Sequence, residues 1–164
     1  LNVKLEGSCH CKSVRFTVES KAPYPYAHCY CSICRKTQGG SGAAVNLHAA
    51  ANTLEVEGME YVNVYQARIE QPDGTVEISP GKRHFCNQCG SALWVFDPRW
   101  PELLHPFASA IDTALPTPPE RVHLMLHYAP TWVLVPQGAG HVHFPEYPDE
   151  SLEAWHNRWG LWQP

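Results

Sequence analysis

Seven cysteines are the residues of this chain best suited to chemistry, and they fall in tight groups: Cys9-x-Cys11, Cys29-x-Cys31-x-x-Cys34 and Cys86-x-x-Cys89. An odd number cannot pair completely into disulfides. Cysteines one or two residues apart rarely bond to each other, because the chain between them is too tight for disulfide geometry. The same spacings let thiolates converge on one cation. Zinc takes four ligands in a tetrahedron, has no ligand-field preference and accepts thiolate well. Four protein ligands make a closed structural site; three leave a position for water or a substrate. Seven divides as four plus three. Cys29, Cys31 and Cys34 are already a three-ligand set within one short segment, which leaves Cys9, Cys11, Cys86 and Cys89 for a second ion. A metal on that quartet closes a loop of roughly 80 residues, a large contribution to holding a sheet together. Two Zn²⁺ per chain are expected. Thiols held in this way point to a reducing compartment, the cytoplasm.

A rival division lets His10, His28 or His84 complete a second closed site. Each abuts a cysteine, so its side chain points away from that cysteine's metal, and a supporting hydrogen bond or plain packing is the expected role. His123 and His127 stand four apart in a strand-like segment, and His141 and His143 flank Val142 in a Pro- and Gly-rich stretch. The expectation for these is a surface position or a satisfied core histidine. There is no Gly-x-Ser-x-Gly, P-loop or His-Glu-x-x-His motif.

The elements that must position these groups are mostly strands. Val14, Phe16 and Val18 alternate with Arg15 and Thr17, the pattern of a half-buried strand. Tyr61 to Gln66, Val76 to Ile78, Ala92 to Phe96, Arg121 to Leu126 and Thr131 to Val135 are further candidates. Pro72-Asp73-Gly74 reads as the turn joining a strand that ends near Ile69 to one that starts at Thr75. Pro116, Pro118 and Pro119 mark a loop, since proline lacks the N–H a ladder needs. Two helices are expected. One follows Cys31 to about Gln38 and stops at Gly39-Gly40. The other is C-terminal, with Asp149 as N-cap, Leu152, Trp155 and Trp159 on one core-facing side, and Gly160 as the stop.

The chain of 164 residues has 12 Lys plus Arg against 16 Asp plus Glu, a net charge of −4. No basic surplus exists to neutralise a phosphate backbone, so nucleic acid is not an expected partner. Apolar runs such as Trp132 to Val135 are too short to cross a bilayer, and Leu1 to Gly7 alternates and carries charge, unlike a signal peptide. The length fits one domain over 1–164, with a tail and helix at about 138–164.

Three ordered segments carry a family resemblance. Gly7-Ser8-Cys9-His10-Cys11 with Val14-Arg15-Phe16, then Cys29-Tyr30-Cys31-Ser32-Ile33-Cys34-Arg35-Lys36, then Phe85-Cys86-Asn87-Gln88-Cys89-Gly90-Ser91 resemble the glutathione-dependent formaldehyde-activating enzyme family, also called GFA or CENP-V/GFA. The resemblance runs from about Gly7 to Trp132. It implies a mainly β fold, the β-tent, with stacked antiparallel sheets around a structural zinc and only short helices. It also implies that Cys9, Cys11, Cys86 and Cys89 hold that zinc, and that Cys29, Cys31 and Cys34 hold a catalytic one. The position after Cys11 is usually glycine in the family and is Lys12 here, which restricts the turn. The tail beyond about Gln137 is this chain's own.

By this resemblance the expected activity is that of a zinc-dependent carbon–sulfur lyase. It would activate glutathione for reversible addition to formaldehyde, giving S-hydroxymethylglutathione. Arg35 and Lys36 are candidates to meet the carboxylates of the thiol substrate, with Lys82 and Arg83 beside the last knuckle. The alternative is a non-catalytic zinc module for protein binding or for thiol or zinc sensing, since folds do not determine function. A methionine sulfoxide reductase of the same fold is disfavoured, because zinc takes all seven cysteines and leaves no free nucleophile.

Overall fold

Buried apolar residues alternate with exposed or half-buried ones along the first strands, and further β-branched and aromatic runs form the others. The computed structural model describes residues 2–162. In chain order the strands are β1 (Val3–Ser8), β2 (Arg15–Ser20), β3 (Ala27–Cys29), β4 (Ala44–Val45), β5 (Ala49–Ala50), β6 (Glu55–Glu57), β7 (Val62–Glu70), β8 (Val76–Cys86), β9 (Ala92–Phe96), β10 (Leu103–Pro106), β11 (Arg121–Leu124) and β12 (His141–His143). The α-helices are α1 (Ser32–Gln38) and α2 (Leu152–Arg158).

The strands form three sheets, ordered β1-β2-β6, β5-β10-β9-β8-β7 and β12-β11-β3-β4. The first two are antiparallel throughout and pack face to face. Leu5, Phe16 and Val18 from one meet Leu93, Trp94 and Leu104 from the other. Phe16 sets its ring edge-on to Trp94 at 5.1 Å between centroids. Cys9 and Cys86 are buried in this same core. The third sheet departs from the antiparallel expectation, because β11 pairs in parallel with both β12 and β3. Its core joins Tyr26, Val122 and Leu124 to α2, where Trp155 is wholly buried and stacks on Tyr26 at 3.8 Å.

Local signals place α1 and β9 where expected: Gly39 ends α1, and β9 spans the anticipated residues. Gly74 turns at φ 84° between β7 and β8, with Thr75 N–H donating to the Asp73 carboxylate at 2.9 Å. Other expectations need correction. β8 runs on to Cys86 through Pro80-Gly81, because the β7–β8 register shifts opposite Ala67 and a proline is tolerated at such a bulge. β11 stops at Leu124, since Met125 takes a left-handed φ of 59°. Ser151, not Asp149, caps α2, its hydroxyl accepting from Ala154 N–H at 3.1 Å. Thr131 to Val135 is not a strand. It turns after Pro130 and finds no partner, leaving Trp132 62% and Leu134 90% exposed.

Candidate metal centres

The first centre is assembled from two turns that the first two sheets bring together. Cys9 and Cys11 lie between β1 and β2, while Cys86 ends β8 and Cys89 lies in the turn from β8 to β9. Backbone bonds shape each turn: Cys9 N–H donates to Val14 O at 3.0 Å, and Cys86 N–H to Ser91 O at 2.9 Å. Gly58 backs the first turn so closely that a Cβ there would collide with the Ser13 carbonyl oxygen, and its φ of 83° suits glycine. Lys12 occupies the turn at φ 65°, so the left-handed geometry is kept without glycine. The four sulfurs lie within 4.8 Å of one another. Cys9 Sγ is 3.6 Å from Cys11 Sγ, which is 3.8 Å from Cys86 Sγ. Sulfurs about 2.3 Å from a tetrahedral ion sit about 3.8 Å apart, whereas bonded sulfurs sit about 2.05 Å apart. The separations fit a metal, and all seven cysteines are free thiols.

Donors around the quartet suit thiolates. Val14 N–H reaches Cys9 Sγ at 3.3 Å and Gln88 N–H reaches Cys86 Sγ at 3.4 Å. The Ser13 and Ser91 hydroxyls lie 3.2 Å from Cys11 and Cys89. The Ser13 contact lowers the Cys11 pKa, Ser91 pulls Cys89 down to about 5, and burial pushes Cys86 up to about 11. The exposed thiols ionise the more readily, and the buried one would give up its proton to a bound cation. Metal affinity at such a set rises with pH.

The second centre is local. Cys29 ends β3, held between Leu124 of β11 and Ala44 of β4. Cys31 is the N-cap of α1, its sulfur accepting from Cys34 N–H at 3.3 Å. Cys34 lies one turn into the helix and is buried, as is Cys29, while Cys31 is partly open. Their sulfurs converge within 4.8 Å, and among the described residues no fourth sulfur, imidazole or carboxylate joins them. Hydrogen bonds to Cys31 and Cys34 hold the Cys29 thiol up. Accepting those bonds, from Cys29 first, pulls Cys34 down, with Arg83 adding to the effect. Of the candidate cations, Arg83 reaches this set, with Nη2 3.6 Å from Cys34 Sγ. Arg35 keeps its Nε buried without a hydrogen-bond partner, and Lys36 and Lys82 are exposed.

No histidine joins either set. His84 stacks on Trp94 at 5.0 Å, and His10 is exposed. His28 instead belongs to a group that the sequence did not disclose. The parallel register aligns His28, His123 and His143 across β3, β11 and β12, with ring centroids 5.1 and 5.2 Å apart. His123 is buried. It bonds Tyr30 Oη through Nδ1 and His141 through Nε2, each at 2.9 Å. Burial lowers both His28 and His123 to about 4, so the rings are neutral near pH 7. Only knowledge of the strand pairing would have revealed the row.

The model of the glutathione-dependent formaldehyde-activating enzyme family matches residues 4–125, a span containing all seven cysteines. A Halomonas elongata protein named for that enzyme is 61% identical over 157 residues, covering 96% of this chain and 97% of its own length. A crystal structure of a Rhodobacter sphaeroides protein is similar at a TM-score of 0.49 and 26% identity, over 68% of this chain and 91% of that one. With the family's match spanning both cysteine sets, this chain belongs to the glutathione-dependent formaldehyde-activating enzyme family.

Proposed function

We propose that the protein is a zinc-dependent carbon–sulfur lyase that catalyses the reversible addition of glutathione to formaldehyde, giving S-hydroxymethylglutathione. The observation that carries this reading is the second cysteine set: three converging sulfurs with no fourth protein ligand among the described residues. Cys9, Cys11, Cys86 and Cys89 would hold a structural zinc, and Cys29, Cys31 and Cys34 a catalytic one. Zinc bound by three thiolates supplies Lewis acidity that lowers the pKa of a thiol taking the remaining position. Cys31, the least buried of the trio, marks the side from which a substrate arrives. Arg35 and Lys36, in the last turn of α1, place positive charge next to Cys34 for the carboxylates of glutathione. The addition conserves atoms: the substrate sulfur bonds to the formaldehyde carbon, the C=O π pair moves to oxygen, and the thiol's proton ends on the new hydroxyl. Seven reduced cysteines suit the cytoplasm. Among the described residues, no helix is long and apolar enough to cross a membrane. We read the whole chain as one domain, with β12 of its tail forming one edge of the third sheet and α2 packed against that sheet's core.

The test is exchange NMR on an equilibrium mixture of glutathione, formaldehyde and hemithioacetal, using protein with two zinc ions per chain. Exchange should quicken in proportion to protein. No acceleration at high protein concentration would leave the non-catalytic module as the better reading.

A further inference from the structure

A cation from a distant part of the chain reaches the three-cysteine set. Arg83 sits in β8, paired with Tyr65 of β7 and Val95 of β9, and is half-buried. Its Nη2 donates to Cys34 Sγ at 3.6 Å and its Nη1 to Thr37 Oγ1 of α1 at 3.4 Å. Among the described residues, the arginines paired with carboxylates are Arg99 and Arg158. Arg83 has no such partner among them, and the acceptor it faces in the trio is the Cys34 sulfur.

The charge count gives this contact a purpose. A divalent cation on three thiolates carries a net −1, and a fourth thiolate makes it −2. In the quartet that charge is shared with water, because Cys11 and Cys89 are exposed. In the trio Cys29 and Cys34 are buried, and a buried charge without a counter-charge is costly. A guanidinium is suited to the task, being permanently charged and weakly hydrated. Its position is also anchored, since β8 delivers Cys86 to the quartet three residues later.

We propose that Arg83 is a positioning residue for an anionic sulfur ligand: its hydrogen bond to Cys34 offsets the negative charge of the trio, so that a small-molecule thiolate can take the fourth position. The proposal rests on reading the trio as a thiol site. The test uses full-length protein loaded with cobalt at both sites, titrated with glutathione and followed by the sulfur-to-cobalt absorption band. Arg83→Gln should weaken glutathione binding about 10-fold or more, the scale of one charged hydrogen bond. Arg83→Lys should recover most of the affinity. Cobalt content, the thiol-free spectrum and the melting temperature should be the same for all three proteins. If wild type itself gives no thiol-dependent band, the reading of the trio as a thiol site fails and this proposal with it. If wild type binds glutathione and Arg83→Gln binds it equally well, the role of Arg83 alone is overturned. If Arg83→Gln loses its cobalt, Arg83→Lys decides: affinity near wild type supports the proposal, and a 10-fold loss in a fully loaded protein overturns it.

Discussion

The two cysteine sets use the same ligand atom in opposite ways. The quartet draws its sulfurs from turns some 75 residues apart in sequence (Cys11 to Cys86) and joins two sheets through one core. The trio lies between one strand end and the first turn of one helix, so a metal there closes almost no loop. The chain-entropy contribution of a cross-link grows with the loop it closes. Stability should therefore depend on the quartet, and chemistry on the trio.

Removing one ligand from each set separates the two roles. Structural zinc in small domains contributes about 10 kcal/mol or more, against a net domain stability of about 5–15 kcal/mol. Cys86→Ser should fail to fold or express poorly. Cys34→Ser should fold, keep one zinc and lose thiol exchange. Circular dichroism melts with elemental zinc analysis on both variants decide the point. Equally severe melting losses would mean that the division of labour is wrong.

Acid sharpens the comparison by acting on the sheet that carries Cys29. Burial holds His123 at about 4, below its ordinary 6.5. As pH falls from about 6.5 toward 4, the unfolded chain takes up a proton that the folded chain refuses, so stability falls; above about pH 7 the ring is neutral in both states and contributes no slope. In Cys34→Ser, which retains the quartet and the pH dependence of its metal affinity, the melting temperature should decline from pH 6.5 to 5, and the His123 share of the pH dependence should vanish between pH 7 and 8. Replacing His123 by Gln in that background should flatten part of the decline.

The smallest effect is expected at the quartet's own turn. Lys12 holds φ 65°, a conformation costing an L-residue about 1–2 kcal/mol, of which glycine's extra unfolded-state freedom takes back about 0.5–1. Lys12→Gly should raise stability by about 0.5–1 kcal/mol in chemical denaturation and leave zinc content unchanged. A loss of stability would show that the Lys12 bond to Ser8 Oγ, 2.8 Å long, outweighs the strain.

What the sequence disclosed was local. Ligand spacing and coordination number were enough to divide the cysteines, and the structure gathers the same two sets. The Gly39 stop of α1 and the short apolar run of β9 were legible for the same reason. What it concealed depends on partners distant in the chain. Thr131 to Val135 is aromatic and β-branched like a strand but pairs with none, whereas β12, in a Gly-rich stretch, becomes a strand because β11 lies beside it. Arg83 could be seen to precede a knuckle. That β8 turns it toward Cys34 follows from sheet packing, which no spacing encodes.

X-ray absorption at the zinc edge of the two-zinc protein distinguishes one closed and one open sulfur site from two closed ones. One closed and one open site give a mean of about 3.5 sulfurs per zinc with a light-atom neighbour, rising to about 4 with that neighbour lost when glutathione is added. A mean of four before glutathione, or one that glutathione does not change, would contradict that arrangement.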